Sequence, residues 1–291
     1  MKKIQIGLIL LMAITSMAMR SDIKAFQLFN QKGKTVKYKK LLQDAVNADV
    51  ILFGELHNNP ISHWLQLELT KDLFSTVGDK LILAAEMFET DNQMLLDEYT
   101  SGLIRQRNFE DEAKLWNNYT TDYKPLVEFA RENKLTFVAA NIPRRYASMV
   151  HRGGFEALLD LSDDAKALIA PLPMAYDPEL PGYKAMMEMM GGMGAAHANA
   201  NLPKAQAAKD ATMAHSILKY FETGKTILHF NGAYHSNNFE GIYWYLKQSN
   251  PELNILTIST VEQDSIDKLS DEFKGIANYI INVPSTMTKT Y

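Results

Sequence analysis

Glu55 and His57 stand two positions apart directly after Gly54, and each is a side chain that can move a proton, bind a polar group or ligate a metal. Three other clusters carry groups of the same kind: Glu86 to Glu89, Asn141 to Arg145, and Asn231 to His235. Glu86 directly follows Leu83-Ala84-Ala85, and a carboxylate on so apolar a run is costly unless paired, which Arg144 or Arg145 can supply. Taken singly, each cluster also fits a structural role: a turn or cap at Gly54 to His57, an ion pair at Glu86, a hydrogen-bonded core histidine at His235.

What groups them is the kind of element each one terminates. Residues 50–53 (VILF), 80–85, 136–140 and 226–230 are short apolar runs of the sort found in parallel strands buried on both faces, and every cluster begins where one of these runs stops. Helix-like segments lie between them, over about 58–74, 92–102, 123–133, 144–151, 204–221 and 238–248, with further strands over 254–259 and 279–283. Asn58, Asn59 and Pro60 offer an N-cap and a first-turn proline, and Pro143 opens the next such helix. Near the start, residues 25–29 and 35–36 flank a turn-rich NQKGK and read as a small hairpin, followed by a short helix over 38–48. Strand and helix alternate, which predicts an α/β fold with a mainly parallel sheet and helices on both faces. In such a sheet the ligand crevice lies at the carboxyl ends of the strands, so the four clusters are expected to converge there.

The remaining features bound the class. Met1-Lys2-Lys3 precedes an apolar stretch over 4–13 and the small-residue end Ser16-Met17-Ala18, which reads as a secretory signal cleaved after Ala18. Its apolar core is shorter than the roughly 20 residues of a spanning helix, and no other stretch looks transmembrane. Residues 19–291 then form one domain. Loss of Lys2 and Lys3 with the signal takes the formal charge from -4 to -6, so nothing suggests nucleic-acid binding. The chain has no cysteine, which excludes disulfides, thiolate metal sites, a cysteine nucleophile and a lipoprotein anchor on cysteine. An exported, periplasmic or envelope-associated protein is expected.

Between about 153 and 203 the alternation breaks. Pro171, Pro173, Pro178 and Pro181 are followed by Met186, Met187, Met189, Met190 and Met193 among Gly191, Gly192 and Gly194. This stretch reads as a helical insertion over the carboxyl edge of the sheet, placed to act as a lid. A Met-rich helix ordinarily forms an adaptable core or dimer surface. Thioethers also suit Cu(I), which nothing else in the chain favours.

Gly54-Glu55-Leu56-His57, Glu86-Met87-Phe88-Glu89, Asn141-Ile142-Pro143-Arg144, Gln206 with Asp210-Ala211-Thr212-Met213-Ala214, and Gly232-Ala233-Tyr234-His235 together resemble the ChaN family. These are bacterial, iron-associated haem-binding proteins in a superfamily that includes the Tiki proteases and the erythromycin esterases. Two departures stand out: members are often lipoproteins, and the last motif commonly reads Gly-Asn-Gly-His. The resemblance implies haem bound near the insertion, between two subunits of a homodimer, in iron or haem acquisition alongside outer-membrane uptake components. Tyr176, Tyr183, Met190, Met193 and His197 are then the candidates for holding it, since haem iron takes Tyr, His or Met ligands. The superfamily resemblance equally implies a hydrolase, peptidase or esterase, with Glu55, His57, Glu86 and His235 in functional positions and Arg144 beside them; on that reading a divalent metal held by His57, Glu86 and His235 lowers the pKa of a bound water and Glu55 takes its proton, or, without a metal, His57 serves as the base. The third reading is a non-catalytic interaction protein in which Gln206 and Asp210 only pack and cap the long helix.

Overall fold

The structure, a computed structural model, describes residues 23–191 and 200–291. The expected signal at 1–18 and the candidates Met193 and His197 lie outside the described residues. In chain order the elements are β1 (Gln27–Asn30), α1 (Tyr38–Ala45), β2 (Val50–Glu55), α2 (Pro60–Val77), β3 (Leu81–Glu89), α3 (Gln93–Thr100), α4 (Gln106–Glu112), a π-helical turn (Tyr119–Tyr123), α5 (Lys124–Asn133), β4 (Phe137–Asn141), α6 (Arg144–Gly153), α7 (Asp163–Lys166), α8 (Pro181–Gly191), α9 (Leu202–Tyr220), β5 (Thr226–Gly232), α10 (Ile242–Ser249), β6 (Ile255–Gln263) and β7 (Tyr279–Pro284). The strands form one seven-stranded sheet in the order β1-β7-β6-β2-β5-β3-β4.

Six strands run parallel, and only β1 is antiparallel, on the edge beside β7. The expected amino-terminal hairpin survives as a single bridge between Phe29 and Thr35, because β1 takes its ladder from β7 through the Gln27 to Asn282 and Asn30 to Tyr279 register. The remaining architecture is the α/β sheet the alternation predicts. Among the described residues no helix is long and apolar enough to cross a membrane.

The sheet separates two apolar layers. Ile51 and Phe53 of β2, Leu83 of β3 and Leu228 and Phe230 of β5 pack with Leu69 and Leu73 of α2, Leu96 of α3 and Val127 of α5. Val50 and Leu52, Ile82 and Ala84, and Ile227 pack on the other face with Val150 of α6, Ala208 and Ile217 of α9 and Leu246 of α10. Successive strand residues point to opposite faces. Carried to the strand ends, the alternation sends Glu55 toward the α2 layer and Glu86 toward the α9 layer, and their partners agree.

Among the described residues the insertion contributes helices and no strand: α7, then α8, which packs against α9. Asn59 caps α2 by accepting from the backbone N–H groups of Ile61 and Ser62, with Pro60 in the first turn. That cap starts the helix immediately after the Gly54 to His57 cluster.

Candidate functional site

Glu55, Glu86 and the turn after β5 meet at the carboxyl ends of β2, β3 and β5. Two glycines permit the approach. A Cβ on Gly54 would lie 2.9 Å from both Ala233 Cα and the Ile258 carbonyl oxygen, so only glycine lets the turn after β5 cross the end of β2. A Cβ on Gly232 would lie 2.6 Å from His57 Nε2 and 2.7 Å from its Cε1, so the imidazole packs directly on the backbone of β5.

The first histidine–carboxylate pair belongs to β2. Glu55 is buried, and its Oε1 lies 2.8 Å from His57 Nδ1 while accepting from the Tyr123 hydroxyl at 2.7 Å. Its other oxygen accepts from Gln66 Nε2 at 2.6 Å. Behind it, Gln66 Oε1 lies 3.1 Å from His63 Nδ1, and His63 Nε2 lies 3.0 Å from the His57 carbonyl oxygen and 3.4 Å from Asp122. Asn118 donates to the same carbonyl at 2.9 Å, and Trp116 meets the His57 ring edge-on at 5.1 Å. Burial pulls the His57 pKa down, but the hydrogen bond to Glu55 and the charges of Glu86 and Glu55 outweigh it and leave the imidazole above its ordinary value. A carboxylate that fixes Nδ1 leaves Nε2 as the working nitrogen of the ring.

The second pair is buried more deeply. His235 Nε2 lies 3.1 Å from Glu86 Oε1, and its Nδ1 lies 2.5 Å from Asp210 Oδ1. Glu86 also accepts from the Gly232 backbone N–H at 2.7 Å. Desolvation opposes charge on both partners, yet the two carboxylates overcome it and push His235 up to about 10, and His235 with His57 holds Glu86 well below the usual carboxylate range. At neutral pH this is an imidazolium clasped by two carboxylates. The other Asp210 oxygen accepts from the Tyr183 hydroxyl at 2.9 Å, which ties α8 of the insertion to the same cluster.

Between these pairs opens a cleft of about 840 Å³, within the range of small-molecule and cofactor sites. Glu55, His57, Glu86, Arg144 and His235 all line it, so the expected convergence of the four clusters is met. Leu56, Leu115, Trp116 and Ile142 give it apolar wall, with Met186 contributed by the insertion.

Several expected pairings are redistributed. The partner of Glu86 is His235, and neither Arg144 nor Arg145 reaches it: Arg145 pairs with Asp91, which also takes Lys114 at 2.7 Å. Arg144 instead lies exposed on the cleft wall. The anticipated metal set of His57, Glu86 and His235 is not assembled. Both His235 nitrogens and both Glu86 oxygens are engaged within the protein, and among the described residues no group of three or more His, Asp or Glu is arranged to hold an ion.

Of the haem candidates, Tyr176 and Tyr183 lie side by side and neither lines the cleft. Tyr183 is buried with its hydroxyl spent on Asp210; Tyr176 is half-buried between Phe155 and Tyr183, with ring centroids 5.7 and 5.6 Å away. Met190 lies on the last turn of α8. Tyr123, Gln66, His63, Asn118, Asp122 and Trp116 were not singled out by sequence reasoning. The π-helical turn that carries Tyr123 is a rare conformation concentrated at functional sites, but its sequence, YTTDY, carries no local signature of it.

Comparison with known proteins is consistent with this geometry. The family model described as haem-binding uptake, Tiki superfamily, ChaN matches residues 41–246. The solved structure of ChaN from Campylobacter jejuni, described as showing cofacial haem binding, superposes with a TM-score of 0.67 at 19% identity, covering 90% of this chain and 98% of that one. A succinoglycan biosynthesis protein gives 0.52 at 11% identity over 92% and 96% of the two chains, and a Bacillus cereus protein gives 0.50 at 12% over 89% and 95%. No curated protein sequence matches. At these identities the structural likenesses establish the fold.

Proposed function

The chain belongs to the ChaN haem-binding uptake family of the Tiki superfamily, and from that premise we propose that it binds haem in the cleft where the strand ends meet the insertion. The observation that carries the reading is the match of the family model over residues 41–246, which spans β2 to β5 and the insertion. The cleft fits the ligand: about 840 Å³ of space, an indole and aliphatic side chains along its wall, and the Met-bearing α8 at its edge. Flexible, polarizable methionines suit the flat face of a porphyrin. When bound, haem would supply an iron centre open to a Tyr, His or Met ligand. Tyr176, Tyr183, Met190, Met193 and His197 are the residues proposed to hold it. Using Tyr183 in this way requires breaking its bond to Asp210, whereas Tyr176 makes no such commitment.

The accompanying proposals are export to the periplasm or cell envelope, a role in iron or haem acquisition with outer-membrane uptake components, and a homodimer sharing the haem face. Absorption spectra of the purified protein titrated with haem test the central proposal. A Soret band that saturates, and that shifts in one of Tyr176→Phe, Tyr183→Phe or His197→Ala, supports it and identifies the ligand. No saturable change would sink it.

One observation favours a second reading. His57 presents its ring to the cleft with Nδ1 held by a buried carboxylate, the arrangement of a general base fixed by an orienting group. Under this reading His57 accepts a proton from water attacking an ester or peptide carbonyl, with no metal. A panel of ester and peptide substrates assayed with wild type and His57→Ala decides it: turnover abolished in the variant supports it, and no turnover in either rejects it.

A further inference from the structure

The charges around the cleft do not cancel locally. Glu55 is spent on His57, Tyr123 and Gln66; Glu86 on His235 and the Gly232 N–H; and Glu89 on Lys114 at 3.1 Å. Every carboxylate lining the space therefore has its partner inside the protein. Two lining cations do not. Arg144, the first residue of α6, and Lys209, on α9, line the cleft, and neither forms an ion pair among the described residues. Their helices pack against one another, so both charges rise from the same wall. Against a chain with a formal charge of -4, the uncommitted charge of the cleft is positive.

Asn141 gives an independent sign of the same kind. It is only 8% exposed at the end of β4, lines the cleft three residues before Arg144, and its side-chain oxygen has no hydrogen-bond partner. An unsatisfied buried amide oxygen is costly, while the Asn141 NH2 is not occluded and donates to no protein group among the described residues, so it is free to serve a ligand.

We infer that Arg144, Lys209 and Asn141 form a subsite for the carboxylates of the bound ligand, which in haem are its two propionates. The inference rests on the haem reading and deepens it, because it fixes which edge of the porphyrin faces the α6–α9 wall. Arg144 offers a planar fork to one carboxylate, Lys209 a point charge to the other, and Asn141 a neutral donor beside them. The same wall would reject a porphyrin whose carboxylates are esterified, since the cations would then lose solvent without gaining a partner.

The test compares haem with haem dimethyl ester, both delivered in the same dilute detergent, by equilibrium titration of wild type, Arg144→Ala/Lys209→Ala and Arg145→Ala. At roughly fivefold per partly exposed ion pair, wild type should favour the diacid by about 25-fold. The double variant should lose most of that preference by weakening for haem alone. Arg145→Ala, which removes a cation already paired with Asp91, should keep it. Equal affinity of wild type for both porphyrins, or an undiminished preference in the double variant, would overturn the subsite and leave haem binding intact. If wild type binds neither porphyrin, the haem reading itself fails and the subsite with it. Circular dichroism of each variant separates loss of fold from loss of binding.

Discussion

Replacing Glu86 with Gln removes one of the two carboxylates that clasp the His235 imidazole, while keeping an oxygen for the Gly232 N–H. His235 titrates at about 10 in the folded protein against 6.5 for an unperturbed histidine. Because the folded value lies above the unfolded one, its contribution to stability is fully present below pH 6.5, falls by about 1.4 kcal/mol per pH unit above that, and is gone beyond about pH 10. At pH 7 this amounts to about 4 kcal/mol, within the roughly 3–5 kcal/mol lost when one partner of a buried ion pair is removed. Asp210 remains in the variant, so about half of it, ~2 kcal/mol, should go, lowering the melting temperature of a chain this long by about 3–4 °C. Thermal unfolding followed by circular dichroism from pH 4 to pH 10.5, read as the difference between wild type and variant, isolates this effect from the surface groups both share. The difference should be largest near pH 5–6.5, shrink toward pH 10 as His235 deprotonates, and shrink again in acid, where protonation of wild-type Glu86 removes its advantage as pH falls below 4.5 toward its depressed folded value. A difference near zero at neutral pH, or one that stays constant up to pH 10.5, would refute a charged His235 held by Glu86.

Gly232→Ala should push the His57 ring off Glu55 and cost about 1–3 kcal/mol by chemical denaturation, a cost that nearly vanishes in a His57→Ala background because the colliding ring is gone. Glu55→Gln should lower the His57 pKa, measured by NMR titration of the imidazole; an unchanged value would contradict the control of His57 by Glu55. Tyr183→Phe leaves one Asp210 oxygen without its donor, and should destabilise by about 1–2 kcal/mol and raise hydrogen exchange in α8, whereas Tyr176→Phe should do neither.

The parallel sheet was legible because its strands are continuous apolar runs, and Val50 to Phe53 needs no tertiary information to be read as one. The strand-end clusters were legible for a related reason: a glutamate such as Glu86 inside so apolar a run has to be explained. Its partner was not, because Arg144 and Arg145 at the end of the next strand in sequence are ready cations for it, whereas the chain brings His235 to it from 149 positions away through the parallel neighbour β5. The layer behind Glu55 was hidden by its composition. Gln66 is one polar residue in an otherwise regular helix, and Tyr123 sits in a π-helical turn without a sequence signature, so only the fold shows that both point at the same carboxylate. Side assignment was latent in the two-residue period, which places Glu55 and Glu86 on opposite faces of the sheet and explains why the site holds two separate histidine–carboxylate pairs.

The cleft between those pairs is proposed to receive haem. Titration of the purified protein with haem at fixed protein concentration, with the Soret band followed against a matched protein-free titration, tests it most directly. A shifted band that saturates at a defined haem-to-protein ratio is expected. A rise that stays linear and superposes on the protein-free control would contradict it.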